Sequence, residues 1–351
     1  MSEIRIADRA VGKGHPAFLI GEVAQAHDGS LGMAHAYIDA AASANVDAIK
    51  FQTHIASEES TLDEPFRVKL SGQDETRFDY WRRMEFSPEQ WGELARHATE
   101  KKLIFLSSAF SLGAVALLQR LGMPAWKVGS GEFRSSELLD AMIATGKPIL
   151  YSTGMSTWSD IDAVASRLTE RKHPFALLQC TSQYPTRSES VGLNVIDELR
   201  TRYGQPVGLS DHSGKVFASL AAMARGADLI EAHITFDRRM FGPDVVASLT
   251  VDELALIARA RDEFHLMREN PVDKDRIAAD LGEMRRLFTK SVSPARALHV
   301  GEVLTESMLV PKKPGTGIPY AERRHLIGRR LVRDVAPNRL LTWEDVEAGN
   351  A

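Results

Sequence analysis

The sequence predicts an α/β protein, a (β/α)8 TIM barrel followed by a small β-rich domain. Eight short apolar runs alternate with eight helix-like segments, and such alternation is typical of a parallel sheet. Two of the runs end in segments that contain histidine, and three others end in turns rich in serine and glycine. No Gly-x-Gly-x-x-Gly motif follows the first run, which weighs against an open dinucleotide-binding sheet. Eight repeats therefore favour a closed barrel with its chemistry at the carboxyl ends of the strands.

The predicted elements follow one another in order along residues 17–267. The apolar runs predict strands at residues 17–23, 47–52, 103–108, 125–128, 148–152, 175–181, 206–210 and 228–233. Helices are predicted at residues 31–45, 112–121, 135–145, 158–169, 193–203, 216–225 and 251–267, with one more that starts after Ser87. Ser87 and Pro88 suit the N-cap and the first turn of that helix. A polar insertion, residues 53–85, precedes it.

The chain divides by composition into three parts: a barrel at 1–268, a linker at 269–289 and a small domain at 290–351. Residues 268–286 are charged and nearly free of large apolar side chains, so we expect a linker there, with a helix at 276–287. Short β-like runs separated by glycine and proline follow it. A domain of that size is marginally stable alone, so we expect another surface to support it.

Composition excludes several classes of protein. The 351 residues carry a formal net charge of −4, which provides no basic surface for nucleic acid. The single cysteine, Cys180, excludes an internal disulfide. Residues 1–13 lack the apolar core of a signal peptide, and no segment is long and apolar enough for a membrane span. We therefore expect a cytoplasmic protein with neither a membrane nor a nucleic-acid partner.

Three predicted strand ends have the composition of an anion site. Lys127 is followed by a Gly-Ser-Gly turn that contains Ser130, while Ser152 and Ser108 end the fifth and third strands. An ammonium group, hydroxyl groups and exposed backbone N–H groups together suit a phosphate. If these ends meet at one barrel mouth, they predict a phosphate-binding site.

Lys50 and Glu22 lie within apolar strands, where a charge is costly unless it is paired. One interpretation is an internal salt bridge between them, and the other is that Lys50 binds an anion in the mouth. Glu22 could act as a general base or only balance charge. Cys180 is expected to be a packed small residue. Four tryptophans are expected to pack in the core or against helices: Trp81, Trp91, Trp126 and Trp158.

His212 and His233 end the seventh and eighth predicted strands, which are neighbours in a barrel. Two neutral imidazoles side by side can hold a divalent ion such as Mn²⁺, with water and substrate completing its coordination. Asp211 and Glu231 flank them and could orient the rings. The alternative interpretation is that both histidines are structural.

Together these segments resemble the sialic acid synthase family over nearly the whole chain. The motifs that carry the resemblance are residues 21–22, 27–30, 47–52, 127–132, 152–155, 208–213, 231–233 and 242–244. The C-terminal motifs at 314–318 and 326–328 resemble the antifreeze-like (SAF) domain of that family.

The resemblance implies an enzyme that condenses phosphoenolpyruvate with an N-acetylated hexosamine, of the N-acetylmannosamine type, and releases phosphate. It implies that Glu22 is the general base and that His212 and His233 bind Mn²⁺, with Mg²⁺ or Co²⁺ as alternatives. Phosphoenolpyruvate would contact Lys50, Ser108, Lys127, Ser130, Ser152, Ser182 and Ser210. The amino sugar would contact Gln52, Tyr184, Asp244 and Lys313. The resemblance also implies a domain-swapped homodimer, in which the C-terminal domain of one subunit covers the barrel mouth of its partner.

The chain departs from the commonest family pattern at four positions. Ser182 replaces asparagine, Ala232 replaces lysine, Val245 replaces histidine and Lys313 replaces arginine. Lysine does not reproduce the planar fork of arginine. Most of these changes fall on the sugar side, so we expect the condensation chemistry with an acceptor that need not be N-acetylmannosamine.

Other functions remain as alternatives. A legionaminic or pseudaminic acid synthase would use a diacetamido-trideoxyhexose with the same machinery. An octulosonate or heptulosonate phosphate synthase would need a second basic cluster, which the sequence does not offer convincingly. The non-enzymatic alternatives are a carbohydrate- or ice-binding protein and an inactive barrel.

Overall fold

A computed structural model describes residues 2–69 and 72–348 of the chain. The chain forms two compact units, Met1–Glu269 and Asn270–Ala351. The first unit holds a closed parallel barrel, and the second has its own small apolar core. The predicted fold class, a TIM barrel followed by a small β-rich domain, is confirmed.

The barrel has eight parallel strands, each paired with the next, and the last also pairs with the first. A hairpin of β1 (Ile4–Ile6) and β2 (Arg9–Val11) precedes it. The barrel strands are β3 (Phe18–Ala24), β4 (Ala48–Thr53), β5 (Ile104–Ala109), β6 (Trp126–Val128), β7 (Ile149–Ser152), β8 (Phe175–Cys180), β9 (Val207–Asp211) and β10 (Leu229–Thr235). The short strand β11 (Leu249–Thr250) continues the sheet beside β10. Every residue of β3 and β10 is buried, as expected for a parallel sheet covered by helices.

The helices surround the barrel and begin with local signals in the sequence. In the first unit they are α1 (Leu31–Ser43), α2 (Ala56–Glu59), α3 (Arg77–Met84), α4 (Pro88–Glu100), α5 (Leu112–Arg120), α6 (Ser136–Ala144), α7 (Trp158–Glu170), α8 (Leu193–Tyr203), α9 (Val216–Ala224) and α10 (Val251–Glu269). The start predicted for α4 is confirmed. The Ser87 hydroxyl accepts a hydrogen bond from the Gln90 backbone N–H, and the Gln90 side-chain oxygen accepts one from the Ser87 backbone N–H. No helix in the described part of the chain is long and apolar enough to span a bilayer.

The end of the barrel opposite the mouth is closed by the N-terminal hairpin, which the sequence analysis did not predict. Apolar side chains of β1 and β2 belong to the barrel core. The Asp47 carboxylate holds this end together: it lies 2.7 Å from the guanidinium of Arg9 and 2.9 Å from that of Arg261, and it accepts a hydrogen bond from the Leu19 backbone N–H. Asp47 therefore joins the hairpin, the strands β3 and β4, and the last barrel helix.

The insertion between β4 and α4 is ordered over its described parts and contains α2 and α3. Thr76 caps α3 through a reciprocal pair of hydrogen bonds with Asp79. The Ala56 backbone N–H at the start of α2 donates to the Glu85 carboxylate at 2.7 Å. Both ends of the insertion are thus tied together beside the carboxyl ends of the strands.

The second unit begins with α11 (Lys274–Asp280) and α12 (Gly282–Phe288) and continues with β12 (Ser291–Pro294) and β13 (Leu309–Lys312), which pair antiparallel. The single helix predicted at 276–287 is wrong, because the backbone leaves the helical conformation at Leu281. The apolar core of the unit is formed by Val292, Leu298, Leu304, Leu309, Ile318, Leu326, Leu331, Val335, Leu341 and Val346.

Candidate active site

A cavity of about 760 Å³ opens at the carboxyl ends of the barrel strands. Segments that follow most of the eight strands contribute to its wall, as the barrel topology requires. The predicted site residues that line it are Glu22, Lys50, Gln52, Ser108, Lys127, Ser130, Ser152, Ser182, Tyr184, Ser210, His212, His233 and Asp244. Lys313 lies in the second unit, where its ammonium group is 4.7 Å from the centre of the Phe288 ring.

Two buried lysines and two buried carboxylates form the floor of the cavity. The Lys50 ammonium lies 2.6 Å from a Glu22 oxygen and 3.7 Å from a Glu231 oxygen, while Lys127 lies 3.3 Å from Glu231. The two interpretations of Lys50 therefore do not exclude each other, because the residue forms the internal salt bridge and also faces the cavity.

The pKa values of the two carboxylates differ because their surroundings differ. Burial raises the pKa of Glu22 to about 7, although Lys50 opposes this shift. Burial alone would also raise the pKa of Glu231, but Lys127 and Lys50 outweigh it and lower this pKa to about 2. The same two carboxylates raise the pKa of Lys50 despite its burial. At neutral pH Glu231 is ionised and Lys50 is charged, whereas Glu22 is poised to exchange a proton.

Hydroxyl groups surround these charges. The Lys50 ammonium donates to the Ser108 hydroxyl at 3.2 Å, and Lys127 donates to Ser152 at 2.8 Å. The Ser210 hydroxyl donates to Glu231 at 3.2 Å. These contacts confirm that the strand ends meet at one cavity. That they bind an anion stays a prediction.

Gly154, directly after the fifth barrel strand, lies in a narrow gap between polar side chains. A Cβ atom at this position would lie 2.6 Å from the Ser182 hydroxyl oxygen and 2.7 Å from that of Ser130. The Gly154 backbone N–H donates to Ser130 at 3.1 Å. Only glycine fits there without displacing these hydroxyl groups, so the turn keeps Ser130 and Ser182 close together.

His212 and His233 lie side by side, with ring centres 5.2 Å apart. Burial lowers the pKa of His212 to about 4 and that of His233 to about 3, so both rings are neutral near pH 7. His212 donates through Nδ1 to the Thr181 carbonyl at 3.1 Å, which leaves the Nε2 lone pair toward the cavity, where the Tyr184 hydroxyl donates to it.

Neutral rings are what a metal ligand requires, and His212 also has one nitrogen oriented by a carbonyl group and the other facing the cavity. Among the described residues no third histidine, cysteine or carboxylate completes a three-ligand group. The pair therefore fits an ion whose remaining positions are filled by water or substrate.

The part of the cavity wall next to His212 combines Tyr184, Asp244 and Arg67, an arginine that was not predicted from the sequence. The Arg67 guanidinium lies 4.5 Å from the centre of the Tyr184 ring and 2.6 Å from an Asp244 oxygen. Arg67 comes from the insertion, whose polar sequence has no periodicity that indicates where a side chain points. The predicted sugar-side residues therefore have an additional cationic neighbour.

Gln25, Glu59 and Trp81 also line the cavity and were not predicted to do so. Trp81 was expected to pack in the core or against a helix. This expectation is wrong, because the residue lines the cavity and its ring stacks on His54. Cys180 is buried, as expected, but it also borders the cavity, and burial raises the pKa of its thiol.

Comparison with known proteins identifies the family. The sequence model of the NeuB family matches residues 37–272, and that of the SAF domain matches residues 289–347. The chain belongs to the NeuB family. This NeuB-family chain is 32% identical over 345 residues to the N-acetylneuraminate-9-phosphate synthase of Homo sapiens, an alignment that covers 97% of the chain and 95% of the relative.

Two further relatives agree with this assignment. The N,N'-diacetyllegionaminic acid synthase of Campylobacter jejuni is 29% identical to the NeuB-family chain, with 92% of the chain and 98% of the relative covered. The crystal structure of the N-acetylneuraminic acid synthetase from Leptospira borgpetersenii superposes with a TM-score of 0.72 at 28% identity, covering 81% of this chain and 96% of that one. The relatives are synthases of acidic amino sugars, which supports an enzyme of the synthase class.

Proposed function

We propose that this NeuB-family chain is a nonulosonic acid synthase that condenses phosphoenolpyruvate with an uncharged N-acetylated hexosamine and releases phosphate. The observation that carries the proposal is the buried pair Lys50 and Lys127, each hydrogen-bonded to a serine, in a cavity that two neutral histidines also line. Two cations that are this deeply buried suit a small, highly charged anion better than a neutral ligand.

The charge balance of the floor supports a metal ion as a further component. Lys50 and Lys127 are offset by Glu231 and, when it is ionised, by Glu22. A trianionic phosphoenolpyruvate would add an uncompensated negative charge to a buried site, which is costly. We therefore propose that a divalent cation, Mn²⁺ in the first place, binds at His212 and His233. Bound there, such an ion supplies Lewis acidity to a carbonyl oxygen.

The side chains of the protein have distinct roles in the proposed reaction. Lys50 and Lys127 hold the phosphate and carboxylate groups and keep the enol carbon toward the open-chain sugar, whose aldehyde carbon it attacks. Water then adds to the former enol phosphate carbon, and the bond from this carbon to the phosphate oxygen breaks to leave a keto group and free phosphate. With its pKa raised to about 7, Glu22 takes the proton from that water. The product is a nine-carbon 2-keto acid.

The sugar side of the cavity favours an uncharged acceptor. Three arginines line it, and each already has a carboxylate partner: Arg67 with Asp244 at 2.6 Å, Arg77 with Glu64 at 3.1 Å and Arg83 with Asp74 at 2.8 Å. Glu58 and Glu59 line the same side and add negative charge. A sugar phosphate would have to displace these partners, so we expect a phosphorylated acceptor to be used poorly.

A homodimer is part of this proposal. Apolar side chains surround the mouth of the barrel and are exposed in the single chain: Leu62, Met155, Phe217, Phe241 and Val246. Several exposed apolar residues around one opening are typical of a surface that a partner covers. Light scattering with size-exclusion chromatography tests this point, and a monomer at micromolar concentration would contradict it.

Phosphate release from phosphoenolpyruvate in the presence of Mn²⁺ tests the proposed function. The acceptors are N-acetylmannosamine, its 6-phosphate, mannose, and diacetamido-trideoxyhexoses of the gluco, manno and altro types. We expect release with one uncharged N-acetylated acceptor and its loss on chelation. Preference for a diacetamido sugar would instead identify a legionaminic or pseudaminic acid synthase. No release with any acceptor, from folded protein loaded with Mn²⁺, would contradict the proposal.

Arg67→Ala is expected to raise the KM for the acceptor roughly fivefold, since the contacts of this cation with Tyr184 and Asp244 are worth about 1 kcal/mol. The KM for phosphoenolpyruvate should stay unchanged, because Arg67 contacts the sugar side. Initial-rate kinetics with each substrate varied in turn measures both values. Arg82→Ala, an exposed arginine on α3, is the matched control and should leave both constants unchanged. Equal increases in both KM values for Arg67→Ala would contradict the assignment.

A further inference from the structure

His54 directly follows β4 and is almost completely buried, at 5% exposure. Its imidazole ring is stacked between two aromatic rings, with the centre of the Trp81 ring at 4.0 Å and that of the Phe110 ring at 4.6 Å. Both faces of the ring are therefore occupied. Only the two ring nitrogens, which lie in its plane, are left for polar contacts.

Each of these nitrogens has a polar partner. Nδ1 lies 2.5 Å from a Glu59 carboxylate oxygen. Nε2 lies 3.2 Å from the side-chain nitrogen of Gln25 and 3.3 Å from the side-chain oxygen of Gln52. Carboxylate oxygens accept hydrogen bonds, so we assign the His54 Nδ1–H as the donor to Glu59. The Nε2 lone pair then accepts from the Gln25 amide group. Glu59, which is itself buried, thus selects the tautomer that can hold Gln25.

The hydrogen bonds continue from His54 to the proposed general base. The Gln25 amide nitrogen also donates to the side-chain oxygen of Gln52. The Gln52 nitrogen in turn donates to a Glu22 oxygen at 2.9 Å. A flipped Gln52 amide would place its oxygen against the Glu22 oxygen and its nitrogen against the Gln25 nitrogen, so that both contacts would be lost. The series therefore permits one orientation of the Gln52 amide.

We infer that His54 is a positioning residue for acceptor binding: through Gln25 it fixes the Gln52 amide in the orientation that the sugar side of the cavity presents to the acceptor. The inference rests on the proposed function, because Gln52 is assigned there to the amino sugar. His54 itself does not contact the reacting atoms. Its effect is expected on binding of the acceptor, with little effect on binding of phosphoenolpyruvate at Lys50 and Lys127.

Two substitutions of His54 distinguish its proposed positioning role from simple packing between the aromatic rings. His54→Phe keeps an aromatic ring between Trp81 and Phe110 but removes both nitrogen contacts. His54→Gln places an amide oxygen where Nε2 accepts from Gln25, and so keeps that part of the series. His173→Phe is the matched control: His173 is buried where the chain enters β8, at the opposite end of the barrel, and contacts the Lys147 carbonyl at 2.8 Å.

Steady-state kinetics with phosphoenolpyruvate, Mn²⁺ and the acceptor found by the panel tests the inference. We expect His54→Phe to raise the KM for the acceptor about tenfold and to change the KM for phosphoenolpyruvate less than twofold. His54→Gln should recover most of the acceptor affinity, and His173→Phe should resemble the wild type. An unchanged acceptor KM in folded His54→Phe, or equal increases in both KM values, would overturn the inference.

A second measurement does not depend on catalysis. Nitrogen-15 NMR of labelled histidine, with the His54 signals assigned from their loss in His54→Phe, reports which ring nitrogen is protonated. We expect the Nδ1–H tautomer in the wild type and its loss in Glu59→Leu. That result supports the hydrogen-bond series even if no acceptor is turned over, an outcome that would count against the proposed function alone. An Nε2–H tautomer in an active enzyme would overturn the inference.

Discussion

Replacing His233 with alanine is expected to reduce Mn²⁺-dependent turnover at least about a thousandfold, because loss of a metal-held Lewis acid costs several kcal/mol of transition-state stabilisation. The His233 ring lies 5.2 Å, centre to centre, from the His212 ring, and its low pKa keeps it available as a ligand at neutral pH. A single remaining histidine would hold the ion weakly. Mn²⁺ binding followed by electron paramagnetic resonance should weaken together with turnover.

His27→Ala is the control for this variant. The His27 ring is also buried, and burial likewise lowers its pKa, to about 3, but it packs against Phe86 and does not border the cavity. We expect it to cost some thermal stability and to leave Mn²⁺ affinity intact. Full activity of His233→Ala after chelation and return of Mn²⁺ would contradict the assignment of the metal site.

Glu22→Gln is expected to lower kcat by roughly a hundredfold to ten-thousandfold, the usual contribution of a positioned general base. The amide can still accept the hydrogen bond from Gln52, and Lys50 keeps Glu231 at 3.7 Å, so the local structure should survive. Near-normal kcat in folded Glu22→Gln would show that another group accepts the proton.

The pH profile of the reaction distinguishes two roles of Glu22, a general base or a residue that only balances the charge of Lys50. Since burial raises the pKa of Glu22 to about 7, most of this carboxyl group is protonated below that pH and cannot accept a proton. The kcat/KM of the wild type should therefore fall about tenfold per pH unit below 7 and level off above it. This acidic limb should disappear in Glu22→Gln and remain, with a shifted midpoint, in Glu22→Asp. A limb that persists near pH 7 in Glu22→Gln would belong to another residue.

The barrel and the floor of its site were predictable from the sequence for a physical reason. Short, mostly apolar runs such as the one that contains Phe18 are typical of a buried parallel strand, and barrel topology brings the ends of such strands together. Lys50, Lys127 and His233 could therefore be placed at one mouth. That placement needed no knowledge of any side-chain contact.

The insertion was not predictable in this way. Arg67, Glu59 and Trp81 lie in a polar segment without periodicity, and the partners of Arg67, Tyr184 and Asp244, are distant in the sequence. Contacts of this kind depend on long-range packing, which local patterns do not encode. The hairpin at the opposite end of the barrel was missed for a related reason, since its strands are three residues long.

The position of the barrel seam has a consequence for folding. Glu22 on β3 and His233 on β10 are register partners across the pairing that closes the barrel. Because β3 and β10 are far apart in the chain, pairing them costs more loop-closure entropy than pairing strands that follow one another. We therefore expect this pairing to form late in folding. The proposed base and metal ligand would then come together only in the final closing step. During refolding, recovery of turnover would thus report the pairing of β3 with β10, while helix content would return earlier.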